Sequence, residues 1–274
     1  MSRNPDSRLK FPPLGAIGAA IVMVCGVGSA QAGVAALSLD YLSVTSNGGF
    51  VTQVANPYQN FLSIADDAGG VGAASSINAH TALDWGQGAL VNAASTYASA
   101  SGSFSLNTDP ITQLGTAGFS LHSSASNGGI YATPVAPNAG NAFAEIAGAF
   151  GLVDFNGDAV AGDITFTLYY SYSVNAPTGF PGTDFSEVLL DVLASDADEV
   201  FAPSALLVNT NAVGGARTDS GSISWTFNLG SGDLASFSIR GSALSSAAVP
   251  EPGSLALASL ALLGAGFARR LRSR

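Results

Sequence analysis

Residues 154–163 place Asp154, Asn156 and Asp158 at alternate positions of a glycine-containing segment, with Asp163 following. Oxygen side chains at that spacing can converge on a hard cation, which is how calcium loops are built. Two departures stand against this use. Gly157 comes one residue early for such a loop, and Thr165 occupies the position of the closing bidentate acid, with Asp163 two residues short of it. The same residues also suit a plain turn between an apolar stretch ending at Phe155 and a strand beginning at Ile164. The sequence therefore leaves a calcium site at Asp154, Asn156, Asp158 and Asp163 open beside a turn.

Other chemistry finds little support. No serine has glycine two before and two after it, no Gly-Lys pair is present to hold phosphate, and no histidine is followed four residues later by another. His80 and His122 stand apart and read as ordinary side chains, and Asp196, Asp198 and Glu199 read as a solvated acidic loop. Paired carboxylates for glycoside hydrolysis are set by distance in space, so sequence neither supplies nor removes them.

The charges are unevenly placed. Of the 19 acids only Asp6 and Glu251 fall outside residues 33–248, and the cations of that stretch are Arg217 and Arg240, so it carries a net charge of −15. A surface that acidic lacks the cations that nucleic-acid phosphate requires, which excludes a nucleic-acid partner. Cys25 is the single cysteine; it precedes the body, and the residues Val22, Met23 and Val24 before it are too large for a lipoprotein signal. The body must therefore fold on its core without disulfides.

Two apolar stretches, roughly 14–32 and 253–268, flank the body and read as targeting elements. Arg3, Arg8 and Lys10 precede the first, and Ala30 and Ala32 supply the small residues that signal peptidase accepts, so residues 1–32 are expected to be removed and the mature chain to start at Gly33. The far end runs Val249, Pro250, Glu251, Pro252, then the apolar segment 253–268, then Arg269, Arg270, Arg272 and Arg274 within 269–274. Sixteen residues of helix reach roughly 24 Å, a marginal span that arginine side chains can extend. Both cation clusters lie on the outer flanks, so both hold the cytoplasmic side while the body lies across the inner membrane. Pro250 and Pro252 keep the backbone between body and helix extended, as a protease needs.

This three-part end resembles the PEP-CTERM sorting signal. The resemblance covers residues 249–274 and implies recognition of the Pro-Glu-Pro motif by an exosortase, transient inner-membrane anchoring, a Gram-negative source, and association with exopolysaccharide or biofilm.

Residues 33–248 show strand alternation and little helical periodicity. Ile164, Phe166, Leu168, Tyr170, Tyr172 and Val174 alternate with Thr, Ser or Tyr, so one face of a strand is buried there. Ile223, Trp225, Phe227 and Leu229, then Phe237 and Ile239, alternate on either side of the Gly230-Ser231-Gly232-Asp233 tetrad and predict a β-hairpin. Residues 37–44, 98–106 and 188–193 read as further strands, the last more buried; residues 78–96 read as a short helix; residues 132–141 offer the best seam. The expected body is an antiparallel β-sandwich of jelly-roll kind. The function expected of it is a non-enzymatic envelope or matrix protein, with a secreted carbohydrate-active hydrolase or a calcium-dependent carbohydrate-binding module as the alternatives.

Overall fold

The computed structural model describes residues 32–67, 75–85, 88–108, 115–126, 137–176, 184–196, 200–210 and 215–248. In these stretches the chain is all-β and antiparallel, and no helix occurs among the described residues. One six-stranded sheet holds β1 (Ala32–Asn47), β4 (Leu90–Ala94), β5 (Ala98–Thr108), β6 (Gly115–Ser126), β8 (Gly162–Ala176) and β11 (Gly215–Leu229), in the spatial order β11-β8-β1-β6-β5-β4. The other holds β2 (Phe50–Asp66), β3 (Ser75–Ala82), β7 (Asn138–Val153), β9 (Phe185–Ser195), β10 (Val200–Asn209) and β12 (Ala235–Ala247), in the order β10-β9-β12-β7-β2-β3.

The inward residues of both sheets form one core, in which Leu37, Phe119 and Phe166 of the first sheet join Phe61, Ile146 and Val192 of the second. Alternation drives this, because every second side chain leaves water when one face is covered. In β8, Ile164, Phe166 and Leu168 are fully buried as the sequence pattern requires. The predicted strands at 37–44 and 98–106 are present and longer than their apolar cores.

Four expectations need correction. Residues 223–229 and 237–239 are strands, but they form no hairpin: β11 pairs with β8, whereas β12 pairs with β7 and β9 in the opposite sheet. The tetrad is thus an arch, closed by the Asp233 amide donating to the Gly230 carbonyl at 3.1 Å, and it lets Phe227 and Phe237 bury against the same core. Alternation fixes which face is buried and says nothing about which strand is the neighbour.

Residues 78–96 hold β3 and β4 instead of a helix. β3 pairs with β2 over eight positions, with Thr81 Oγ1 donating to Asn60 Oδ1 at 3.0 Å, so tertiary pairing outweighs the neutral propensity of its Asn, Ala and Thr residues. Strand 188–193 alternates: Val188, Leu190 and Val192 are fully buried while Leu193 is exposed. Of the expected seam, residues 132–136 lie outside the described residues, and 138–141 belong to β7 at the centre of its sheet, paired on both sides.

Candidate functional site

The two ends of the body meet at one corner. β1 starts at Ala32 and β12 ends at Ala247, in different sheets. Gly33 is buried where they approach: a Cβ built on it would lie 3.0 Å from the carbonyl oxygens of Phe185 and Ser246. A side chain there would require the neighbouring backbone to give by a few tenths of an ångström. The chain therefore enters and leaves the folded body within a few ångströms.

Small residues make that approach general at this end. Ala65, Ala93, Ala98, Ala125 and Ala247 form their own buried cluster, and a Cβ on Gly140 would fall 2.7 Å from the Ser124 carbonyl oxygen. Polar cross-links join the sheets there: Asn138 Nδ2 donates to the Ser126 carbonyl at 2.7 Å, and Ser186 Oγ to the Asn175 carbonyl at 2.8 Å.

Asp184 closes the corner. It is buried, and its carboxylate accepts the Ala248 amide at 2.8 Å. Burial pushes its pKa up from the ordinary carboxylate value, against the smaller opposite pull of that amide. Ala248 is thus fastened one position before Val249. No motif in the sequence marks Asp184, since the role comes from a position reached only through the fold.

The calcium candidates lie on two elements. Asp154, Asn156 and Asp158 share the turn after β7, where Asp154 Oδ1 accepts the amides of Asn156 at 2.8 Å and Asp158 at 3.0 Å. The Asp158 amide, then that of Asn156, hold the Asp154 carboxyl below its ordinary pKa. Asp163 lies apart, on β8, where its Oδ1 accepts Asn228 Nδ2 at 2.7 Å across the strand pair. Among the described residues no three His, Cys, Asp or Glu side chains gather as metal ligands.

Of the processing residues, Ala32 and Gly33 lie in β1, and Ala30 lies outside the described residues. So do Val249, Pro250, Glu251, Pro252 and the arginines from Arg269 to Arg274. Cys25, Asp198 and Glu199 are outside them too, while Asp196 follows β9.

Residues 248–273 match the family model described as PEP-CTERM protein-sorting motif. The chain carries a PEP-CTERM sorting tail. The match begins at Ala248, the residue whose amide Asp184 accepts. A PEP-CTERM tail implies export, sorting to the cell envelope and processing by an exosortase. No curated protein and no solved structure matches the chain.

Proposed function

We propose that this is a non-enzymatic protein of the outer envelope or extracellular matrix, exported and released there by exosortase processing and associated with exopolysaccharide. The observation that carries the reading is the sorting tail beginning at the fastened end of the body. In this reading residues 1–32 are a signal peptide, 253–268 are a transient inner-membrane helix, and the two packed sheets form a β-sandwich, jelly-roll-like in how the chain passes between sheets.

The shared corner supports a two-anchor intermediate. A body whose entry and exit adjoin can be held by both membrane segments at once without unfolding either terminal strand. The two cuts then differ in what they need. The Ala32–Gly33 bond belongs to a paired strand, with Gly33 opposite Ala125, so signal peptidase acts only where the first residues of β1 fray from that pairing. The tail cut falls beyond Ala248 and is compatible with a folded body.

The joint substitution Pro250→Ala, Glu251→Ala and Pro252→Ala tests this. Export persists and a longer, membrane-bound form accumulates; release at the normal mature mass would overturn the sorting reading. Depolymerisation of the producer's own polysaccharide by the purified protein would overturn its non-enzymatic part.

A further inference from the structure

The outer face of the β11-β8-β1-β6-β5-β4 sheet carries an ordered hydroxyl array. Ser103 stands opposite Ser120, Ser120 opposite Ser38, Ser38 opposite Ser171, and Ser171 opposite Ser220, so five serines align across five strands. The next outward row includes Ser101, His122 and Ser173. Adjacent strands are about 4.8 Å apart, which makes the serine row roughly 20 Å long.

A groove of about 400 Å³ runs over these rows, with Leu90 and Asn92 on one side and Ser171 and Ser173 on the other. Beside it, β1 bulges between Leu39 and Tyr41, and the extra residue turns both Asp40 and Tyr41 outward. Asp40 accepts Ser38 Oγ at 2.8 Å and Ser171 Oγ at 3.3 Å. Tyr41 stacks on Tyr169 with ring centroids 4.5 Å apart, a half-buried aromatic platform on the same face.

The charge pattern selects the ligand. No Arg or Lys lines the groove, and residues 33–248 hold only Arg217 and Arg240 against 17 acids, so a uronate or sulfated chain is repelled. What remains is chemistry for an uncharged polyol. Serine hydroxyls both donate and accept, the Asp40 carboxylate accepts strongly, and tyrosine rings pack on the C–H faces of pyranose rings.

We propose that this face binds a linear, uncharged polysaccharide, lying across the serine row with sugar rings against Tyr41 and Tyr169. The proposal rests on the matrix reading above and names the polymer class and the surface.

Affinity electrophoresis of the processed protein recovered from cells tests it, with hydroxyethylcellulose and dextran as neutral probes and alginate as a polyanion. At least one neutral polymer retards the protein and alginate does not. Ser120→Arg weakens retardation at least tenfold, and Tyr41→Ala severalfold, with dichroism unchanged; Leu207→Ser, exposed on the opposite sheet, leaves it unchanged. If Ser120→Arg does not fold, Tyr41→Ala alone carries the test. Retardation by neither neutral polymer, retardation by alginate alone, indifference to Ser120→Arg and Tyr41→Ala, or self-association without polymer binding would each overturn it. The sorting reading is judged separately, by the mass of the triple tail variant, so either can fail alone.

Discussion

The two ends of the body are built from different residues. At the end away from the junctions, Trp85, Phe150, Phe166, Trp225, Phe227 and Phe237 fill the space between the sheets, with Phe150 and Phe237 stacked at 5.9 Å. At the junction end the core is the alanine cluster, and backbones approach where Gly33 and Gly140 stand. Large rings hold sheets apart near the usual 10 Å and supply most of the burial. Small residues supply little burial but bring the sheets close enough for Asn138 and Ser186 to bond across. One end is thus stabilised by area and the other by proximity.

The largest test of this contrast is Phe150→Ala. The ring is fully buried against Trp85, Phe166 and Phe237, so its loss costs about 3–5 kcal/mol in urea unfolding of the processed protein. A loss under about 1 kcal/mol would mean that the aromatic end contributes no more than its neighbour. Ala247→Leu probes the opposite failure, overpacking, and costs about 1–3 kcal/mol because the facing backbones have no room to retreat. An enlarged side chain accepted there at no cost would show that the junction end is loosely packed.

Asp184 gives a smaller, pH-dependent effect. Below the ordinary value of 3.8 the carboxyl is protonated in both states; between that value and its raised folded pKa, the native state keeps a proton that the unfolded chain has released. Stability therefore falls as pH rises through that window and is level above it. Asp184→Asn removes the fall while keeping an acceptor for Ala248; Asp184→Ala costs about 1–3 kcal/mol by leaving that buried amide unbonded. Thermal melts across the acid range check both, and a fall that survives in Asp184→Asn would assign it to another group.

The sequence shows buried faces better than strand partners. Alternation in residues 164–174 and 223–229 identifies strands and their inward sides, because that pattern is local. The arch at 230–233 was legible only as a turn, since a Gly-rich tetrad serves hairpin and arch alike and the choice lies with β7, β8 and β9. β7 was hardly visible, because its buried positions are largely Ala and Gly, which carry little hydropathy contrast although they set the spacing of the sheets. At the candidate site the tail motif was readable from Pro250, Glu251 and Pro252, whereas Asp184 lies 64 residues from its partner.

The placement of β12 bears on how the body assembles. It is the last of the described strands, yet it lies in the interior of its sheet, hydrogen-bonded to β9 on one side and β7 on the other. A chain emerging in order from residue 32 leaves that slot empty, with two open strand edges facing each other, until residues 235–247 have crossed the membrane. Pairing over such sequence separations is slow, and open edges attract foreign strands. Completion of the sheet is consequently a report that the whole body has been delivered, and it is made by the strand that adjoins the sorting tail.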